Sequence, residues 1–229
     1  MKRSQINRLI DEARGMFARC KFALPPWAHW SPAQWARAMR GKNAPAEEIR
    51  RHRLGWDLTD FGHGRYGELG LLLFTIRNGR LKNPVSRKSY AEKIMLVKKK
   101  QVTPLHFHWL KTEDIINRGG GTLVLKLVQA SKAEGLTKQT VTVSIDGIAR
   151  QVKAGGLVRL KPGESITLTP RLYHAFWAEG ADTVVGEVSS TNDDNTDNRF
   201  YEKMGRFPTI EEDVKPKYLL CHEYPGRRK

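Results

Sequence analysis

Residues 106–121 read His106-Phe107-His108-Trp109-Leu110-Lys111-Thr112-Glu113-Asp114-Ile115-Ile116-Asn117-Arg118-Gly119-Gly120-Gly121. In a strand, residues i and i+2 project from one face, so His106 and His108 present two imidazoles side by side. Alone, a His-x-His pair is structural more often than it is a chelate. Here further donors follow: Glu113 lies in the next β-type segment, and His174 closes the short run Pro170-Arg171-Leu172-Tyr173-His174. Three neutral imidazoles and one carboxylate suit Mn²⁺, Zn²⁺, Co²⁺, Fe²⁺ or Ni²⁺. Around an ion that prefers six ligands, these four leave room for two oxygens of one substrate.

Outward from this stretch the β pattern continues. Leu71–Arg77 ends at Asn78-Gly79, a hairpin dipeptide, and Tyr90–Val97, Thr103–Trp109 and Thr112–Asn117 follow. Gly119-Gly120-Gly121 reads as a turn into Thr122–Gln129. Further runs are Thr140–Ile145 with the turn Asp146-Gly147, Leu157–Leu160, Ser165–Leu168, His174–Trp177 and Thr183–Ser189. Short strands at close spacing without helices between them predict a mainly β protein, a sandwich or barrel over 71–190. Residues 1–70 form a helical and loop extension packed outside it, and 191–229 a C-terminal segment of the same domain. In that extension Ser4 caps a helix bearing Ile6, Leu9, Ile10, Ala13, Met16, Phe17 and Cys20, which Leu24-Pro25-Pro26 ends. Ser31-Pro32 opens a second helix to Gly41, and a third covers Ala46–Arg53.

The 229 residues are 39% hydrophobic and 28% charged, with six Trp, eight Phe and six Tyr, which excludes a disordered, collagen-like or coiled-coil chain. The longest compact apolar stretch, Leu69–Ile76, is far short of the ~20 residues of a membrane helix. The first twenty residues lack a signal-peptide centre, so the cytosol is expected. Cys20 and Cys221 are expected to be unpaired thiols, neither a disulfide nor a metal site. The formal net charge is +16, with nine basic residues between 77 and 100 and a terminal Arg227-Arg228-Lys229. Neither stretch matches a recognition helix or a ribonucleoprotein strand, so a solvated basic face is expected rather than specific nucleic-acid binding.

His106-x-His108, then Glu113, then the glycines at 119–121 resemble the first cupin motif, and Pro170 to His174 after Gly163 resembles the second. Lys100 stands where the first motif has glycine, and the proline-to-histidine spacing is one residue short. Longer blocks are similar to the D-lyxose isomerase family. They are Trp56–Gly62, Leu73–Gly79, Tyr90–Met95, His106–Gly121 and Asn192–Phe200. The resemblance implies a cupin (double-stranded β-helix) barrel. It also implies a manganese-dependent aldose–ketose isomerase for D-lyxose and D-xylulose, and often for D-mannose and D-fructose.

The chemistry of the residues is compatible with that. One metal holding both sugar oxygens would polarise the carbonyl and stabilise a cis-enediolate, whereas a hydride shift would want a second, carboxylate-rich metal site, and the sequence shows no such pattern. Lys111 shares the parity of Glu113, and a neighbouring metal would lower its pKa toward that of a base. A rim lysine in solvent is the plainer alternative. Glu187, a carboxylate within Val184-Val185-Gly186-Glu187-Val188, must face a polar cavity or bear the cost of burial, and is the other candidate base. Lys93 and Asp193 are candidates for holding sugar hydroxyls. Trp109 and Trp177 have the opposite parity to His108 and His174, so they face outward, and with the N-terminal helices they suggest a homodimer. His29, His52, His63 and His222 receive no role. Two other classes compete: another metal-dependent cupin such as a dioxygenase, distinguished by oxygen consumption with Fe²⁺, and a non-catalytic sugar- or nucleic-acid-binding cupin, distinguished by absence of pentose turnover.

Overall fold

Two long strands organise the chain. In a computed structural model describing residues 1–41, 44–79, 88–193, 196–205 and 207–226, Glu113–Gln129 and Leu172–Ser190 pair antiparallel along most of their length. The basic terminus 227–229, part of the basic run (80–87) and Asp194-Asn195 lie outside the described residues. In chain order the helices are α1 (Arg3–Arg19), α2 (Pro32–Ala38) and α3 (Glu47–Arg51). The strands are β1 (Gly55–Thr59), β2 (Leu71–Arg77), β3 (Tyr90–Val97), β4 (Thr103–Phe107), β5 (Glu113–Gln129), β6 (Val141–Ile145), β7 (Ile148–Val152), β8 (Leu157–Leu160), β9 (Ser165–Leu168), β10 (Leu172–Ser190) and β11 (Arg199–Phe200).

Because β5 and β10 bend midway, each serves two sheets. The second half of β10 pairs with β3, which continues to β2 and β1, while its first half pairs with β4, which continues to β11. Likewise β5 pairs with β9 at its start and with β8 near its end. The two sheets face each other across Met95, Ile115, Leu123, Leu125, Leu127, Ile166, Leu168, Phe176 and Val185, an apolar interior that fills one end of the barrel. The outer face of β1–β2–β3 is covered by Ile6, Leu9, Ile10, Ala13 and Phe17 of α1, packed on Trp56, Leu58, Leu72, Phe74, Ile94 and Leu96. Strands covered on both faces read as near-continuous apolar runs, as Leu71–Ile76 does. The fold is mainly β, a cupin barrel with its helices outside.

Four local expectations are corrected. Gly119-Gly120-Gly121 is no turn between strands but the bend inside β5, and His174–Trp177 and Thr183–Ser189 are likewise halves of one strand. The glycines permit the two bends to touch: a Cβ at Gly121 would lie 2.3 Å from the carbonyl oxygen of Glu179 and one at Gly120 2.2 Å from that of Asp182. Asn78-Gly79 closes no tight hairpin, since the β2–β3 ladder opens beyond Arg77 and Glu92. Asn78 instead exchanges hydrogen bonds with the backbone of Asn192. Ser4 does not cap α1; the cap is Lys2, whose side chain makes no capping hydrogen bond, and Ser4 lies inside the helix. Asp213 accepts the Ser4 N–H, and the Glu211 carbonyl accepts that of Arg3, so the C-terminal segment satisfies the helix start. Finally, Gly55–Thr59, within the helical and loop extension, is a strand. The Ser31 cap, the Asp146-Gly147 turn, β8 and β9 lie where expected.

Candidate active site

Interior-facing positions change from apolar to polar at the other end of the barrel. Along β10 the sequence runs Val185, Glu187, Ser189, and along β3 Val97, Met95, Lys93; the register pairs Glu187 with Lys93 and Ser189 with Glu113. On the opposing sheet the ladder sets His174 against His106. The result is a cavity of about 280 Å³ lined by His106, His108, His174, Glu113, Lys111, Glu187 and Lys93, with apolar walls from Leu73, Met95, Phe176 and Phe200. All seven polar side chains are buried.

The ring nitrogens of His106, His108 and His174 lie within 4.8 Å of one another, a group that could hold a metal ion. Each Nδ1 meets a backbone carbonyl: Pro104 for His106, Asp197 for His108 and Leu172 for His174. A carbonyl only accepts, so every Nδ1 carries a proton, and in the neutral ring Nε2 is then the nitrogen with a lone pair to offer. Burial, with the neighbouring rings adding to it, pushes His106 well below the usual imidazole range. Burial and then Lys111 push His108 down to about 4, so both stay neutral. Glu113 Oε1 is buried without a hydrogen-bond partner among the described residues, 3.1 Å from His174 Nε2 and 3.6 Å from His108 Nε2. Lone pairs and a carboxylate oxygen aimed at one point repel one another unless a cation sits there, and this donor set fits a divalent ion.

Beside these donors runs a buried chain of charges. Lys111 Nζ lies 2.6 Å from Glu113 Oε2 and 3.0 Å from Glu187 Oε1, and Lys93 Nζ lies 3.2 Å from Glu187 Oε1. Burial, the largest single influence, would raise both carboxyls; Lys111 with His108 and His174 outweighs it at Glu113, and Lys111 with Lys93 at Glu187, so both sit below the usual carboxylate range. Asn192 Oδ1 accepts from both Lys93 (2.9 Å) and Lys111 (3.3 Å). Lys111 is therefore no rim lysine.

Asp193 accepts from Thr196 Oγ1 and, among the described residues, does not line the cavity. Trp109 packs on Phe107 in a cluster on the outer side of the sheet, and its Nε1 donates to Glu134. Cys221 is buried, Cys20 half-buried, and neither is in a disulfide. Asp57, Cys221 and His222 also bring ligand atoms within 4.8 Å of one another, with one carboxylate among them. Sequence reasoning missed Asp197, whose carboxylate accepts the N–H groups of Leu110 (2.8 Å) and Lys111 (2.9 Å). It also missed Thr103, Asn192 and Asn198.

The barrel has the fold of solved L-ribose isomerases. The L-ribose isomerase of Geodermatophilus obscurus superposes with a TM-score of 0.61 at 16% identity, covering 92% of this chain and 98% of that one. That of Acinetobacter sp. DL28 gives 0.59 at 14% identity over the same shares. At such identities the likeness speaks for the fold. The D-lyxose isomerase family model matches residues 1–224, and the chain belongs to that family. It is 50% identical over 226 residues to the D-lyxose/D-mannose isomerase of Serratia proteamaculans and 49% identical to that of Escherichia coli O157:H7, each covering 98% of both chains. The chain is an aldose–ketose isomerase by family. Among the described residues no helix is long and apolar enough to cross a membrane.

Proposed function

We propose that the chain interconverts D-lyxose with D-xylulose, and D-mannose with D-fructose, by moving a proton between C1 and C2 of the open-chain sugar. The observation that carries this reading is the buried Lys111–Glu187 pair directly beside the three-histidine donor set. His106, His108, Glu113 and His174 would hold one divalent ion, with Mn²⁺ favoured over Zn²⁺, Co²⁺, Fe²⁺ or Ni²⁺. When bound, that ion supplies positive charge that polarises the carbonyl and offsets the charge of the enediolate.

The remaining steps belong to the chain. Glu187, kept ionised by two lysines, takes the proton from one carbon and returns it to the next. Lys111 hydrogen-bonds both sugar oxygens and passes the proton of the C2 hydroxyl to the C1 carbonyl oxygen, so the carbonyl moves opposite to the carbon-bound proton. Each hydrogen bond it gives to the sugar is one withdrawn from Glu187, which strengthens that carboxylate as a base. Lys93 and Asn192 keep Glu187 and Lys111 in place.

The test couples metal analysis to kinetics. His106→Gln and His174→Gln should lose metal and activity together, and full metal content in both overturns the ligand assignment. Lys111→Met and Glu187→Gln should keep the metal while kcat falls roughly 10²–10⁴-fold. In deuterated water the products should carry deuterium at C1 of the ketose or C2 of the aldose. No incorporation together with near-normal kcat in both variants overturns the proton-transfer route. Absence of turnover of both D-lyxose and D-mannose by Mn²⁺-loaded protein overturns the function.

A further inference from the structure

Among the described residues, four buried side-chain atoms lack a hydrogen-bond partner, and three of them belong to residues lining this one cavity: Glu113 Oε1, Thr103 Oγ1 and Asn198 Oδ1. The metal donor set accounts for Glu113. The proton-transfer chemistry uses neither Thr103 nor Asn198. A buried hydroxyl or amide oxygen left unpaired destabilises the fold, so two in the same wall mark places where a ligand completes the bonding.

Their placement is set by β4. Thr103 begins that strand, paired with Phe176, and is 3% exposed. The β11 ladder pairs Phe200 with His106 and Arg199 with Phe107, so continuing it sets Asn198 beside His108, on the cavity-facing parity of Phe200. The two side chains therefore flank the histidine donors at the two ends of one strand. Both are neutral, and both can donate and accept. That is the chemistry for a hydroxyl, which both donates and accepts, and neither side chain adds the positive charge that favours a phosphate or carboxylate.

We infer that Thr103 and Asn198 are substrate-recognition residues that hydrogen-bond sugar hydroxyls beyond the two oxygens at the reacting carbons. The inference rests on reading the cavity as a sugar isomerase site. Either orientation of the Asn198 amide presents a partner to a hydroxyl. A wall that pairs with hydroxyls also discriminates, because a sugar with one of them inverted or missing leaves a buried group unpaired.

The test uses the metal-loaded full chain with Thr103→Val, Thr103→Ser, Asn198→Ala and Asn198→Leu. The readouts are melting temperature, kcat/KM for D-lyxose, and affinity for D-arabinitol, the non-isomerisable polyol of D-lyxose. Thr103→Val should leave the melting temperature unchanged or raised, because no protein partner is lost. It should lower kcat/KM and weaken polyol binding, each about tenfold, and Thr103→Ser should restore both. The two Asn198 variants should weaken both similarly at full metal content. Unaltered kcat/KM and polyol affinity in Thr103→Val and Asn198→Ala overturn the inference. So does a Thr103→Val variant that melts several degrees lower yet binds normally, for then the hydroxyl serves the fold. Wild-type protein that neither converts D-lyxose nor binds the polyol overturns the functional reading itself.

Discussion

Asp197 shows how one side chain can organise a site without touching substrate. Its carboxylate takes the N–H groups of Leu110 and Lys111, and its own carbonyl takes His108 Nδ1. It thereby fixes the turn that carries Lys111 to the carboxylate pair and, through the main chain, the tautomer of His108. In Asp197→Asn the amide accepts one N–H and confronts the other with its NH₂. The expected result is a 10–100-fold fall in kcat with near-full metal content, the loss expected when a supporting contact around a metal site is broken. Hydrogen exchange at residues 110–111, protected in the wild type, should accelerate; unchanged exchange and kcat would show that the turn holds itself. The cluster of His106, His108, Glu113 and His174 was legible because strand parity and spacing are local properties of the sequence. Asp197, Thr103 and Asn198 were not, because β11 pairing with a strand some ninety residues earlier brings Asn198 to the cavity and Asp197 to the turn beside it, and the third looks like any threonine in a strand. Asp193, chosen from the same loop for its chemistry alone, had no parity to guide the choice.

At the scale of elements, the pattern located β2–β6 and β8–β10, missed β1, β7 and β11, and did not show which strands were continuous. A glycine cluster reads as a turn when it stands alone. Here it is the point where β5 bends against the bend of β10, a contact between segments sixty residues apart that no local signal carries. Gly121→Ala would drive a methyl against the carbonyls of Glu179 and Ala181 and should destabilise by about 1–3 kcal/mol. Gly147→Ala, at φ +82° in the β6–β7 turn with open space around it, should cost only the left-handed backbone penalty, about 1–2 kcal/mol. Guanidinium melts of both should rank them in that order. Metal content and kcat should suffer only in the first, because β5 carries Glu113 and β10 carries His174 and Glu187.

For the molecule as a whole, the C-terminal segment fastens the N-terminal helix. Arg3, 1% exposed, reaches Glu212 and Glu223, Asn7 pairs with the backbone of Lys215 and Lys217, and Asp213 receives the Ser4 N–H. Arg3→Met should destabilise by about 1–3 kcal/mol, discounted because Glu212 is half in solvent, and limited proteolysis should then cut first between residues 207 and 217. Acid should do the same. The hydrogen bond from Arg3 lowers Glu212 below its ordinary 4.5, and those from Ser4 lower Asp213 below 3.8. Groups with depressed folded-state pKa values stabilise fully above their unfolded values, and that contribution fades as pH falls through the folded ones. Cleavage in this segment should therefore rise below about pH 4.5 while the barrel remains folded; a cleavage rate flat from pH 6 to 3.5 would count against it.

The late arrival of β10 also bears on how the chain is made. On the ribosome, His106, His108 and Glu113 emerge long before His174, Glu187 and Asp197, and β5 emerges before the strand it pairs with along most of its length. Translation therefore exposes a half-built barrel with bare apolar strand faces until its last quarter is released. A message cut short anywhere before that point yields no weaker isomerase, only a substrate for chaperones and proteases.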